Sequence, residues 1–386
     1  MSRFEDMTNY VVSARKYRPS TFSSVVGQSH VTLTLKSAIL MNQLAHAFLF
    51  SGPRGVGKTT CARILGKAIN CDNLTNEGEP CNRCDSCLAY NEGKSITIHE
   101  LDAASNNSVE DIRNLIEQTR YIPPNGKRSV YIIDEVHMLS QAAFNAFLKT
   151  LEEPPAHVLF ILATTEKHKI LPTILSRCQK FDFKRIKADD IAHHLKYISD
   201  SEDVQYEFAA LQQIALKADG ALRDALSLYD QLVSFTGKSL SFASVLENLN
   251  ILDYDFYFEA VSQMQAQNHT ALLLLLEDLI QKGFEATDFL QGMIEHLRNL
   301  LVCKQPQTVN LMEVSDNVKE KYIQQSQGTD NTWLLNAFNL LVEAEKGIKT
   351  AAFPRLQVEL ALIKLAHLGQ AISVVEGGEI VKKKVS

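Results

Sequence analysis

Through residue 185 the chain alternates between short apolar runs and longer stretches with helical spacing. The runs are residues 47–50 (AFLF), 96–98 (ITI), 130–133 (VYII), 158–162 (VLFIL) and 181–183 (FDF). Stretches such as 107–119 and 141–151 carry helical periodicity between them. A strand with one wet face alternates apolar and polar residues, whereas a strand covered on both faces is apolar throughout. Most of these runs are of the second kind, and their alternation with helices predicts a parallel α/β sheet.

Beyond residue 186 the strand pattern stops. Leu211, Ile214, Ala215 and Ala218 share one helical face, with Gly220 as the stop signal, and Leu222, Ala225, Tyr229 and Val233 form a second stripe. From 249 to 370 the pattern is all helical, with apolar stripes over 256–267, 271–280, 289–302, 333–348 and 356–368, and Pro354 at a helix start. The division predicted is therefore 1–185, an α/β domain; 186–248, a small helical domain; 249–370, an all-helical domain; and 371–386, a flexible tail containing Gly377, Gly378 and the lysines 382–384.

The length of 386 residues fits two or three such domains. With 39 Lys and Arg against 45 Asp and Glu, the net charge of −6 argues against a protein held to nucleic acid by bulk positive charge. The N-terminus carries no uninterrupted apolar segment of the secretory kind, and the longest apolar stretch, 271–276, is far short of the ~20 residues of a membrane helix. A soluble, cytoplasmic protein with no membrane contact is expected.

Chemistry enters with Gly52-Pro53-Arg54-Gly55-Val56-Gly57-Lys58-Thr59, a full phosphate-loop pattern between a predicted strand and a predicted helix. Glycines let backbone N–H groups close around phosphate oxygens, and the helix N-terminus adds its dipole. Lys58 is predicted to reach the β- and γ-phosphates, and the Thr59 hydroxyl to bind Mg²⁺. The strand 130–133 ends in Asp134 and Glu135, which places one carboxylate for the metal and one to orient the attacking water. Together the two motifs predict ATP hydrolysis.

Of seven cysteines, Cys71, Cys81, Cys84 and Cys87 have the spacing C-x9-C-x2-C-x2-C. Four thiolates in this arrangement can surround one tetrahedral Zn²⁺ and leave no open position, so a structural module over about 71–87 is expected. Cys61, Cys178 and Cys303 lack such partners.

The runs Ala14-Arg15-Lys16-Tyr17-Arg18-Pro19, Val25-Val26-Gly27-Gln28, Asp134-Glu135-Val136-His137, 151–155 (LEEPP), Ser176-Arg177-Cys178 and 221–227 (ALRDALS), with the phosphate loop and the four cysteines, resemble the gamma/tau subunits of bacterial DNA polymerase III. These are the AAA+ ATPases of the sliding-clamp loader. The motifs are dense from residue 14 to about 230; the helical remainder resembles the family only in length and helicity.

The resemblance implies an AAA+ P-loop fold with a zinc-binding insertion, a helical lid and an all-α collar. It implies Thr165 as the sensor of the γ-phosphate, Arg177 as an arginine finger for the neighbouring subunit's site, and Arg223 as a lid arginine contacting its own subunit's nucleotide. Spacing alone would leave both arginines as surface ion-pair residues. The segment from Arg15 to Gln28 would cover the adenine.

The same resemblance implies partners: copies of this chain in a hetero-pentamer with delta and delta-prime subunits, the beta sliding clamp and primed DNA. Polymerase core and helicase would join only if a longer tail exists, and polymerisation itself belongs to another subunit. Lys149 and Thr173 are candidate DNA contacts. The turn Ser105–Ser108 is neutral where relatives are often basic, and it reads either as a weak phosphate contact or as an ordinary helix N-cap. Two rivals are weighed: another oligomeric AAA+ motor, such as a branch-migration ATPase, and a non-catalytic clamp-loader scaffold. The first would carry a C-terminal winged helix, which residues 250–370 do not suggest. The second is disfavoured by intact Lys58, Thr59, Asp134 and Glu135.

Overall fold

The computed structural model describes residues 11–123, 127–249, 254–312, 314, 316–348 and 351–376. Internal contacts divide the chain into two compact units, parted between Ser241 and Phe242. The first unit holds a five-stranded parallel sheet of β1 (Ala47–Ser51), β2 (Ile98–Asp102), β3 (Ser129–Asp134), β4 (Val158–Thr164) and β5 (Gln179–Asp182), ordered β2-β3-β4-β1-β5.

Central and edge strands obey different constraints. β1 and β4 are buried at every position because both faces are covered. Phe48, Phe50, Ile132 and Ile161 face a layer that includes Ile64 and Leu65 of the helix Lys58–Ile69. Leu49, Tyr131, Ile133, Phe160 and Leu162 face Ile112, Phe144 and Phe147 of the helices Val109–Gln118 and Gln141–Glu152. The edge strands are only partly covered, and the apolar runs mislocate them. Ile96 lies before β2 and is largely exposed, while β2 itself reads His99-Glu100-Leu101-Asp102 after Ile98. Phe183 lies just past β5, buried, with its N–H on the Ser51 carbonyl.

Three helices follow in the same unit: Ala188–Ser201, Phe208–Lys217 and Leu222–Thr236. Leu211, Ile214, Ala215 and Ala218 are all buried. In the last helix the buried stripe is Ala225, Leu226, Tyr229 and Leu232, so Val233 sits at its margin. A two-stranded parallel pair, β6 (Gln205–Tyr206) with β7 (Ser239–Leu240), was not expected; two residues are too few for a period-2 pattern to show.

The second unit is helical throughout its described residues: Phe242–Asn248, Tyr254–Gln265, His269–Gln281, Ala286–Val302, Asp316–Gln327, Asn331–Ile348, Pro354–Ala366 and Leu368–Glu376. Pro354 occupies the first turn of its helix. The final helix runs six residues into the segment expected as a tail, and residues 377–386 lie outside the described residues.

The helix Asp316–Gln327 was missed because it is almost wholly polar. Its few apolar side chains, Val318, Tyr322 and Ile323, pack against the core, and hydrogen bonds add to that docking. The buried His296 ring lies 3.0 Å from the Tyr322 hydroxyl at Nδ1 and 3.0 Å from Gln325 Oε1 at Nε2, and Gln325 Nε2 donates to the Phe258 carbonyl at 2.8 Å.

Burial holds His296 neutral and lowers its pKa to about 4. Between pH 6.5 and 4 the unfolded chain therefore binds a proton that the folded chain does not, and stability falls as pH falls. The expected loss is about 1.4 kcal/mol per pH unit in that window, with full stability retained above it. Urea titrations of the second unit's transition at pH 7, 6 and 5 check this, and His296→Gln should flatten the dependence.

Candidate functional site

The sheet is parallel, so β1, β3 and β4 end on the same side, and their C-terminal ends carry Ser51, Asp134 and Thr164. The phosphate-loop pattern leaves β1 there. Gly52, Gly55 and Gly57 have φ of +147°, +75° and +103°, and a Cβ on Gly52 would lie 2.3 Å from the Phe183 carbonyl oxygen. Only glycine fits that close approach. Gly57 caps the helix Lys58–Ile69, whose first N–H groups are turned into the loop.

Lys58 is buried, and its ammonium donates to the Gly52 and Pro53 carbonyls at 2.8 and 2.7 Å. Burial lowers its pKa, while the nearby charges of Glu135 and Asp134 oppose the shift. Thr59 Oγ1 donates to Asp134 Oδ2 at 2.7 Å, joining residues 75 positions apart in sequence. Asp134 Oδ1 accepts from the Glu135 N–H at 3.0 Å.

Glu135 adopts a left-handed conformation with φ +46°, uncommon for a residue with a Cβ. Its Oε2 accepts from the Thr165 N–H at 3.2 Å and from the Thr165 hydroxyl at 3.0 Å. His137 completes the cluster: Nδ1 is 3.0 Å from Thr164 Oγ1 and 3.4 Å from Glu135 Oε2, and Nε2 is 3.1 Å from Glu166 Oε2. Sequence reasoning gave His137 no role, although its place two residues beyond Glu135 was a usable signal.

A cavity of about 210 Å³ is lined by Arg54, Gly55, Val56, Gly57, Lys58, Thr59, Asp134, Glu135 and Arg223. Arg223 reaches it from the start of Leu222–Thr236, and its N–H donates to the Gly55 carbonyl at 3.3 Å. Tyr17, Arg18, Pro19, Val25 and Val26 form another wall, naming the side chains that the sequence left open between Arg15 and Gln28. This wall is tied to the three-helix layer: Tyr17 OH donates to Glu202 Oε1 at 2.5 Å, and the Ser13 N–H to Asp230 Oδ2 at 2.7 Å.

Not every candidate joins this cavity. Thr165 lines an adjoining one with Gly52 and Pro53. Arg177 lines neither; its guanidinium donates to Glu152 at 2.5 Å and to the Thr173 carbonyl at 2.6 Å. Lys149 and Thr173 are exposed. At the Ser105–Ser108 turn the N-cap reading is met: Ser108 and Asp111 form a reciprocal capping box at the start of Val109–Gln118.

The four cysteines converge. The Sγ atoms of Cys71, Cys81, Cys84 and Cys87 all lie within 4.8 Å of one another, compared with roughly 3.8 Å between sulfurs around a tetrahedral zinc. The N–H groups of Cys81 and Cys84 donate to the sulfurs of Cys71 and Cys81, each at 3.3 Å. The Arg83 N–H helps to pull the Cys81 pKa down to about 6, whereas burial raises those of Cys71 and Cys87. An all-sulfur donor set at this spacing fits a closed metal site.

Family models match in chain order: DNA polymerase III, delta subunit, over residues 27–187; DNA polymerase III clamp loader subunit, ATPase lid domain, over 190–238; and DNA polymerase III subunits gamma and tau domain III, over 240–377. DNA polymerase III subunit tau of Bacillus subtilis is 40% identical over 359 residues, 93% of this chain and 64% of the relative. DNA polymerase III subunit gamma of Buchnera aphidicola subsp. Baizongia pistaciae is 33% identical over 362 residues, 93% of this chain and 98% of the relative. The chain thus spans less than two thirds of the Bacillus tau protein it matches. Among solved structures, a RuvB Holliday junction branch migration motor of Thermotoga maritima is similar at 21% identity and TM-score 0.45, over 64% of this chain and 79% of the other.

Gly52→Ala puts a methyl group against the Phe183 backbone in a conformation that L-residues avoid. The first unit's melting temperature should drop by several degrees, about 2–4 °C for each kcal/mol lost in a domain of this size. Calorimetry reads this directly.

Proposed function

Because the chain belongs to the gamma/tau family of DNA polymerase III subunits, we propose that it is an ATP-hydrolysing motor subunit of a clamp loader, which places a sliding clamp on primed DNA. The observation that carries this reading is the hydrogen bond from Thr59 to Asp134. It joins the phosphate loop to the acidic end of β3 in the lining of a cavity that Lys58 and Arg223 also line.

In this reading the loop N–H groups and Lys58 bind the β- and γ-phosphates, and Arg223 contacts the nucleotide from the lid. Thr59 and Asp134 would hold Mg²⁺, which when bound offsets the charge between the phosphates. Glu135 orients the attacking water. Its bonds from Thr165 give the two residues a shared switch: a γ-phosphate oxygen that takes the Thr165 hydroxyl leaves the Glu135 carboxylate free for water.

Arg177 lines neither cavity near its own phosphate loop, which favours service in trans to a neighbouring copy. The domain limits we adopt are 1–185, 186–241 and 242–370, which moves the boundary expected at 248 ahead of the helix Phe242–Asn248, with the last as the collar that assembles copies with delta and delta-prime subunits. DNA would be held through its phosphates without base readout, with Lys149 and Thr173 as contributors. Cys71, Cys81, Cys84 and Cys87 would hold a structural Zn²⁺.

Lys58→Ala should abolish nucleotide binding, and Glu135→Gln should keep binding while stopping turnover. Arg177→Ala should leave ATP binding by the isolated chain intact. It should cut clamp- and DNA-stimulated hydrolysis of the assembled complex by about 10³-fold or more. Titration with ATP and phosphate-release assays on the three variants check these outcomes, and unchanged turnover in Glu135→Gln would remove the mechanism.

Metal analysis should find one zinc per chain. Cys84→Ser should lower that content and make the loop between Cys71 and Cys87 protease-sensitive, since metal binding contributes its folding energy.

A further inference from the structure

The loop that carries the cysteine cluster is hydrogen-bonded to the segment that forms one wall of the nucleotide cavity. Between the lining residues Tyr17, Arg18 and Pro19 on one side and Val25 and Val26 on the other lies the short turn Phe22–Ser24, anchored by buried Phe22. The Phe22 and Ser23 N–H groups donate to the two carboxylate oxygens of Glu79, at 2.7 and 2.9 Å. Glu79 belongs to the loop between Cys71 and Cys81, is itself buried, and pairs with Lys36 at 3.2 Å. A carboxylate that accepts one N–H on each oxygen fixes the turn's orientation as well as its position.

A second tie runs through Ser20. Its carbonyl accepts from Asn82 Nδ2 at 3.2 Å and from Lys67 Nζ at 3.4 Å, and Asn82 directly follows Cys81. Lys67 also donates to Asn82 Oδ1 at 2.7 Å and to Asn91 Oδ1 at 3.4 Å. It is only 5% exposed, its acceptors are all uncharged, and no carboxylate among the described residues forms an ion pair with it. A buried ammonium needs a compensating charge. The ionisable groups that would act on Lys67 once deprotonated as metal thiolates are Cys87 and Cys71. Four thiolates around one Zn²⁺ carry a net charge of about −2 and would supply it.

We propose that Glu79 and Lys67 are positioning residues that make nucleotide affinity depend on the cysteine cluster: a metal-loaded cluster holds residues 17–26 in place as the cavity wall. This rests on the nucleotide and zinc readings given above. Coupling of this kind is reciprocal, so bound nucleotide must retain the metal more tightly by the same factor.

The test uses the full chain and a fluorescent ADP analogue. Zinc-loaded wild type, zinc-stripped wild type and zinc-loaded Glu79→Gln are titrated, and zinc release to a chromogenic chelator is timed with and without saturating ADP. The stripped protein and Glu79→Gln should bind the analogue about 10-fold more weakly, within the usual range of coupling energies. ADP should slow zinc release from wild type but not from Glu79→Gln, whose zinc content should stay at one per chain. Equal analogue affinity with and without zinc, together with zinc release indifferent to ADP, overturns the proposal. If stripping unfolds the chain, the release kinetics decide, because they start from loaded, folded protein. Failure of the underlying readings looks different: loaded wild type would then bind no analogue, or freshly purified protein would carry no metal.

Discussion

Everything at the site depends on where a central strand is allowed to stop. β1 lies between β4 and β5, paired along both edges and covered on both faces. Its chain can therefore leave only past the end of the sheet. It does so beneath the Phe183 carbonyl, in a space that excludes a Cβ, and turns at once into a helix whose first N–H groups face back. The neighbouring strands end on the same side, so Asp134 and Thr164 stop beside the turn. The site is the place where three buried strands run out of partners.

Much of this was legible, because the burial that positions the site also writes the pattern. Residues 47–50, 130–133 and 158–162 had to be apolar throughout, and each marks a strand ending at the site. Edge strands carry weaker constraints. β2, with His99, Glu100 and Asp102, announces itself poorly, and the run 96–98 pointed just upstream of most of it. The helix Asp316–Gln327 was invisible for a related reason: only Val318, Tyr322 and Ile323 pack on the core, and the polar part of its attachment, made by Tyr322 and Gln325 around one buried histidine, is a contact between segments that no single-segment periodicity records.

The residues of the site divide in the same way. Lys58, Thr59, Asp134 and the cysteines belong to local patterns whose spacing encodes their geometry. The bonds from Thr165 to Glu135, the bridge of His137 to Glu166, and the hold of Glu79 on Phe22 and Ser23 join residues roughly 30 to 57 positions apart. Such links follow from the order of strands in the sheet and from the path of the N-terminal segment, neither of which is written in any one stretch of chain.

Arg177 rests against Glu152 and the Thr173 carbonyl in a partly solvated place. Exposed ion pairs of this type are worth at most about 1 kcal/mol. A guanidinium parked on such a contact is held in one place, yet it can leave with almost no thermodynamic resistance. A stronger anion brought within reach would compete with Glu152 for it on nearly equal terms. The pair is therefore less a brace for this fold than a resting place, one that holds the guanidinium without committing it.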